Sequence, residues 1–297
     1  MKLTALQFDS LLHTAALLDL LQKARSSQPD DYPGMNDMRE LLARPGIAAD
    51  ICIWQDEGGK LAAFAVADPF NNLLVEGEPS VLSVELFNEM ADWAAGRLRE
   101  RANPGEEIPS LDAVCRAQDA ERAALLESAG FHAQALRTLR FRCELDEPIP
   151  APSLPEGLLI RPIDGEREYP AWLEIHHSAF GTETMSREER AAMAHNPGYV
   201  PDLDLVCVSP DGRLAGYCFC GIEEGVGYTD PVAVHPDFQG RGLAVALLLA
   251  GLARLKQAGV HAVELGTSSQ NTAMAGAARK AGFTLVMEKV WYSKTMS

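Results

Sequence analysis

The stretch V-A-V-H-P-D-F-Q-G-R-G-L-A, residues 232–244, decides how this chain is read. Val232, Ala233 and Val234 close an apolar strand pattern. A short polar turn follows, and a long apolar run begins at Leu243. Strand, glycine turn and helix in that order aim backbone N–H groups at an anion such as a phosphate. Gly240 and Gly242 accept dihedrals closed to other residues and let a ligand approach the backbone. The first helical turn adds unpaired N–H groups and the positive end of its dipole. Arg241 adds a fixed positive charge.

Three ligands and one ligand-free reading compete for this turn. A P-loop is excluded, because no Gly-Lys-Ser/Thr follows. A dinucleotide fingerprint needs G-x-G-x-x-G tight against the strand. Here Val245 stands at the third glycine, although Glu264 lies near the spacing of a ribose-binding acid. A tight strand–helix turn without any ligand would also use these glycines. The fourth reading rests on Gln239, Gly242 and Ala244, which occupy the fixed positions of Q/R-x-x-G-x-G/A. On these residues, and on the Val234-His235-Pro236 lead-in, the segment resembles motif A of the GCN5-related N-acetyltransferases.

That resemblance implies acetyl-CoA as co-substrate and no metal. It places the pyrophosphate on the backbone of Gln239, Gly240, Arg241, Gly242, Leu243 and Ala244. The pantetheine arm would lie along Val232, Ala233 and Val234, where the strands flanking the motif splay apart. Pro231, lacking an N–H, suits an edge or bulge there or simply starts the strand. Asn271 is either a cofactor contact, as the family implies, or a helix cap.

The motif sits in the second half of a weak internal repeat. Residues 118–131, QDAERAALLESAGF, align without a gap to residues 270–283, QNTAMAGAARKAGF, at an offset of 152 residues. Both end a helix on Ala-Gly-Phe, with glycine as the left-handed cap. Self-similarity at this scale points to two copies of one fold. Between them, residues 147–155 hold four prolines in nine positions, an extended spacer unable to form regular helix. The expected organisation is a first domain over 1–146, a linker over 147–156 and a second domain over 157–297. The fold class expected from the resemblance is α/β (α+β). Each of two tandem acetyltransferase-like domains would have a mixed, mostly antiparallel twisted sheet flanked by helices.

In the second copy the element pattern is strand 158–161, helices 166–180 and 186–195, and a hairpin of 204–208 and 214–223. Strand 228–234, helix 241–258, strand 262–265, helix 272–281 and strand 284–293 follow. Ser186 with Glu189 forms a capping box, and Ser209-Pro210-Asp211-Gly212 a turn. The first copy has no such pyrophosphate turn: Glu76 and Glu78 place negative charge where a phosphate would lie. It reads as a degenerate copy that has lost the cofactor.

Acetyl transfer to an amine also needs a proton acceptor and a proton for the leaving thiolate. Asp230 is the candidate base, five residues before His235 where relatives often carry an acid. Simple alternation would set it on one face with Val232 and Val234. It could equally hold the ammonium or cap the strand. Glu223, Glu224 and Tyr228 are its neighbours and rivals. The family often supplies the acid from a tyrosine, but the matching position is Ala278, so Tyr228 or Tyr292 would have to serve. His235 reads as a turn residue. His176 and His177 read as core or solvated positions that could line an acceptor pocket.

Composition bounds the rest. With 47% apolar and 23% charged residues over 297 positions, the chain is globular. A formal net charge of −16 opposes nucleic acid as a partner and suits a cationic small-molecule amine. No apolar run has membrane-spanning length, so no membrane partner is expected. Six scattered cysteines without metal spacing suit reduced thiols in the cytoplasm. The expected function is an N-acetyltransferase acting in the C-terminal domain. The alternative is a non-catalytic acyl-CoA-binding sensor or scaffold.

Overall fold

The computed structural model describes residues 2–27, 33–102, 110–181, 185–196, 198–223 and 225–296. They form two compact units, residues 1–137 with 289–297, and residues 138–288.

The first unit runs β1 (Thr4–Gln7), α1 (Ser10–Ser27), α2 (Met35–Leu42), β2 (Ile51–Gln55), β3 (Leu61–Ala67), β4 (Leu73–Gly77), α3 (Val84–Arg101), β5 (Ser110–Arg116), α4 (Ala120–Ser128) and the start of β6 (His132–Glu144). Strands β1 to β4 pair antiparallel in sequence order. Strand β3 is apolar throughout because both its faces are covered. Ala63, Ala65 and Ala67 pack with Phe87, Met90 and Ala94 of α3. Phe64 and Val66 pack with Leu17 and Leu21 of α1.

The second unit continues with β7 (Leu159–Pro162), α5 (Tyr169–Phe180), α6 (Arg187–Ala194), β8 (Asp204–Val208), β9 (Leu214–Glu223), β10 (Val226–Val234), α7 (Leu243–Gln257), β11 (Ala262–Ser268), α8 (Thr272–Lys280) and the start of β12 (Thr284–Thr295). Its sheet runs β7-β8-β9-β10-β11 and then residues 138–144 of β6. All of these pairs are antiparallel except β10 with β11. Two clusters sandwich the sheet. Cys218, Cys220 and Val232 join Leu247, Leu248 and Leu252 of α7, while Tyr217 and Ala233 join Trp172 and Ile175 of α5. The capping box at α6 is complete: Glu189 N–H donates to Ser186 Oγ (3.1 Å), and Ser186 N–H donates to Glu189 Oε2 (2.7 Å). The helix read from residue 241 begins at Leu243, with Gly242 as its cap.

The compact units do not divide at the proline stretch. Strands β6 and β12 each begin in one unit and finish in the other. Residues 138–144 pair with β11, and residues 289–295 pair with β5. Alternating apolar residues announce a strand but not its partner, so the division is invisible in the pattern. Nor is the proline stretch a free spacer. Ile149 and Leu154 pack on the core of the second unit, and Lys256 Nζ donates to the Glu147 carbonyl at 2.8 Å. Among the described residues no helix is long and apolar enough to cross a membrane, and no three or more His, Cys, Asp or Glu gather as a metal site.

Candidate functional site

The turn after β10 is held by its own side chains. His235 Nδ1 accepts the Asp237 N–H at 3.2 Å, and Phe238 is buried beneath. His235 is thus a cap, as its Val-His-Pro setting suggests. Gln239 Nε2 donates to the Val234 carbonyl at 3.1 Å. Gly240 (φ 73°) and Gly242 (φ 79°) are both left-handed, which only glycine adopts without strain. The first helical bond of α7 runs from Ala246 N–H to the Gly242 carbonyl. The N–H groups of Leu243, Ala244 and Val245 therefore lie ahead of the ladder and point out of the helix end.

These groups open on a cleft of about 650 Å³, the size of a small-ligand site. Its walls are residues 178–180 at the end of α5, Val232, Ala233 and Val234 of β10, the turn with the start of α7, and α8 from Asn271 to Lys280. Strand pairing explains why it exists. β10 and β11 run parallel but pair only at Gly227–Val263 and Tyr228–Glu264. Beyond Tyr228 they diverge, leaving the β11-facing backbone edge of residues 232–234 as cleft wall.

Of the residues expected to hold the pyrophosphate, Gln239, Gly240, Gly242, Leu243 and Ala244 line the cleft, as does Asn271. Arg241 does not. Its Nη2 donates to the Asp237 carbonyl at 3.0 Å and its guanidinium lies over Phe238 at 5.5 Å, so the charge is engaged within the turn. Asn271 is also a cap, its Oδ1 accepting the Met274 N–H at 3.0 Å. Glu264 is bound by Arg140 (2.6 Å) and Arg142 (3.1 Å) of β6, which removes the acid a dinucleotide reading requires.

Asp230 sits at a β-bulge, where the register with β9 shifts between Thr229 and Val232. The bulge breaks the simple alternation. Val232 joins the α7 cluster and Ala233 the α5 cluster, so Asp230 and Val232 do not share a face by period two. The Asp230 charge is felt by Tyr217 and Tyr228. Its side chain does not line the cleft described above. Asp230 is exposed, yet the protein around its carboxyl desolvates it enough to raise its pKa. No hydrogen bond or ion pair holds it among the described residues. The Tyr228 phenol is pushed up by burial first, then by Glu223, Cys220 and Asp230, so it stays protonated at neutral pH. Glu223 is exposed at the end of β9. Glu224 lies outside the described residues.

One acid candidate, Tyr292, and the placing of position 278 beside the cofactor are corrected. Tyr292 belongs to the first unit, buried in its core beside Val290. Ala278 is wholly buried under the second sheet, and Met274 and Ala277 face the cleft instead. Four residues back from the glycine cap lands on the core side of α8. Ala278→Tyr should therefore cost about 1–3 kcal/mol by overpacking and bring no gain in rate. Thermal unfolding with a turnover assay checks this.

Sequence reading missed a buried aromatic group on α5. His176 Nδ1 and Tyr217 Oη are 2.8 Å apart, and Trp172 stacks on both rings at 5.0 and 4.3 Å. The His176 ring also meets that of Phe180, a cleft residue, at 4.7 Å. Burial, then His177, lowers the His176 pKa. Trp172, His176 and Phe180 recur every four residues, a stripe that could have flagged them. His177 Nε2 lies 2.8 Å from the Met185 carbonyl.

The first unit has a cleft of about 550 Å³ lined by the corresponding elements: α1, the end of β4, the start of α3, and α4. Here the strand edge is taken. Glu76 is buried against Arg25 (2.9 Å) and Arg122 (3.6 Å), and Arg122 Nη1 donates to the Val75 carbonyl at 3.1 Å. Glu78 and Glu121 stand in the same wall, and among the described residues of the first unit there is no glycine turn of the 239–244 kind.

Residues 169–283 match the acetyltransferase (GNAT) family. A mycothiol acetyltransferase of Pseudarthrobacter chlorophenolicus is 33% identical over 146 residues, covering 46% of this chain and 45% of the relative. The chain thus spans about half the length of that curated relative. A mycothiol acetyltransferase of Kocuria rhizophila aligns over 95% of this chain and 96% of its own length, at 27% identity. Among solved structures, a GCN5-related N-acetyltransferase from Sphaerobacter thermophilus superimposes with TM-score 0.82 at 23% identity, over 99% of this chain and 96% of that one. A tandem GNAT protein from the clavulanic acid biosynthesis pathway gives 0.73 at 19%, over 100% and 99%. The chain has the tandem GNAT fold, and its second unit carries a GNAT-family domain.

Proposed function

We propose that this tandem GNAT protein is an acetyl-CoA-dependent N-acetyltransferase whose second unit transfers acetyl to a primary amine of a small molecule. The observation that carries the reading is the cleft between α8 and the edge of β10 that β11 leaves unpaired, floored by the left-handed turn at Gly240 and Gly242. The residues present suit the co-substrate. N–H groups at the start of α7 would hold a pyrophosphate, and the open edge of residues 232–234 would hydrogen-bond a pantetheine arm. Asp230, its proton affinity raised by desolvation, would take the proton of the attacking amine. Tyr228, held protonated, is the proton donor we assign to the departing thiolate.

The names of the relatives make a mycothiol-related amine one acceptor to try. The net charge of −16 favours cationic acceptors over nucleic acid. Six free, buried cysteines suit a reducing, cytoplasmic setting. The non-catalytic sensor or scaffold reading finds no support in these relatives. Thiol release from acetyl-CoA, followed across a panel of amines, tests the proposal. Binding of acetyl-CoA without release for any amine would overturn it in favour of a binding module.

Stoichiometry follows from the two clefts. Only the second carries the anion turn, and the strand edge of the first is occupied by Arg122 and its walls by carboxylates. Titration calorimetry should give one acetyl-CoA per chain, and two equivalent sites would overturn the reading of the first unit as degenerate.

A further inference from the structure

Tyr228 and Gly221 face each other across β10 and β9. Tyr228 also makes the last pair that β10 shares with β11, opposite Glu264. It therefore stands at the fork where those strands part, two residues before Asp230. The Tyr228 ring lies down on the bare backbone of Gly221. A methyl group built on Gly221 would overlap Cζ and Oη of Tyr228 and come within 2.6 Å of Cε1. No side chain fits at 221 while the ring stays where it is. Backbone dihedrals do not ask for glycine here, since Gly221 is not one of the left-handed glycines. Close approach is the remaining reason for a glycine inside a strand, and an aromatic ring laid over it is a recurrent cross-strand pair. On the far side of Tyr228 the Glu264 carboxylate is drawn to Arg140 and Arg142 of β6. The phenol thus leans toward β9 and the carboxylate toward β6.

We propose that Gly221 is a positioning residue for acetyl transfer: its missing side chain is the seat that holds the Tyr228 phenol at the fork of the two strands. The inference rests on the reading of Tyr228 as proton donor to the thiolate. In that step the C–S bond of acetyl-CoA breaks and its electron pair goes to sulfur. The phenol proton follows, and solvent restores the phenol. Proton transfer needs the donor within hydrogen-bond reach, so a ring pushed aside by the width of a methyl group loses it. Gly221 offers the reaction no group of its own and does not line the cofactor cleft. Tyr228 is only half-buried, so a displaced ring has solvent to swing into and the chain keeps its fold.

The test is Gly221→Ala, read by steady-state kinetics with the amine that gives the fastest thiol release, by acetyl-CoA calorimetry and by thermal unfolding. Tyr228→Phe should lower kcat by roughly 10²–10⁴-fold, and Gly221→Ala by about 100-fold, the scale of a small misplacement. Acetyl-CoA affinity should stay within about twofold in both. In a Tyr228→Ala chain there is no ring to displace, so adding Gly221→Ala should change kcat by no more than about twofold. An equal loss in both backgrounds would mean that the glycine serves the strand and not the phenol, and overturns the proposal. A fall in acetyl-CoA affinity that matches the fall in rate overturns it too. Should Gly221→Ala fail to fold, the double variant, free of the overlap, still decides: the rate of Tyr228→Ala supports the seat, and a further loss overturns it. If Tyr228→Phe turns over normally, Tyr228 is not the donor and the seat falls with that assignment. If Tyr228→Phe is slow and Gly221→Ala is not, the seat alone is overturned. A chain that releases no thiol with any amine overturns this proposal and the assigned function together.

Discussion

Gly242→Val should lower acetyl-CoA affinity by at least about 100-fold, with turnover falling in parallel at sub-saturating cofactor. Gly242 caps α7 at φ 79°, and a side chain added there meets no protein atom within 4 Å. The space it would enter is cleft. A β-branched residue in the left-handed region costs about 1–3 kcal/mol, and the chain escapes that cost by turning the following N–H groups off their aim. Its γ-carbons would also stand where an anion must approach. Both effects act on the cofactor. Gly212→Val is the matched control: its glycine is equally left-handed (φ 85°), also has open space around it, and sits in the β8–β9 hairpin. It should lose comparable stability and bind acetyl-CoA normally. Calorimetric titration of the two variants separates strain from ligand approach. Equal affinities would show that the turn at 239–244 is not the pyrophosphate site.

The parts of this protein legible in its sequence are those governed by local dihedrals. The hairpin turn at Ser209–Gly212, the capping box of α6, the glycine caps and the glycine turn at 239–244 each depend on a few adjacent residues whose chemistry dictates one conformation. The cleft wall followed from them, since a strand must enter the turn and a helix leave it. What stayed hidden depends on partners far away in the chain. Strand β6 reads as a strand anywhere, and nothing in its alternation says that residues 138–144 pair with β11. Arg241 reads as a free cation, but the carbonyl four residues back, at Asp237, claims it. Ala278 lies one position from the cleft-facing Ala277, within the ambiguity of counting along a helix without its neighbours. The Tyr217–His176 contact joins residues 41 positions apart, and only the packed sheet brings them together. The bulge at Asp230 was foreshadowed by Pro231, which a continuous ladder excludes, but its effect on which face each neighbour takes needed the register.

Asp230→Asn should lower kcat by roughly 10²–10⁴-fold, the range for removal of an acid–base group, with acetyl-CoA affinity unchanged because Asp230 lies off the cofactor cleft wall. The amide keeps the shape and removes the proton acceptor. In the unsubstituted chain, kcat/KM should rise with pH through the Asp230 pKa, at a pH above the ordinary carboxylate range, since desolvation raises it. The variant should lose that limb. Stability supplies a second reading with a definite sign. A carboxyl whose folded pKa is raised binds its proton more tightly when folded, so the ionised form costs stability once the pH passes the folded value. That cost is absent below the unfolded value, about 3.9. Asp230→Asn should therefore melt at an equal or higher temperature than the parent at pH 7, with the difference vanishing near about pH 3. A group kept at the expense of stability, on a bulge that turns it away from the regular pleat, is what a functional carboxylate looks like. If the variant instead melts lower at pH 7 and turns over normally, Asp230 is a strand cap, and the proton acceptor must be sought at Glu223 or in water.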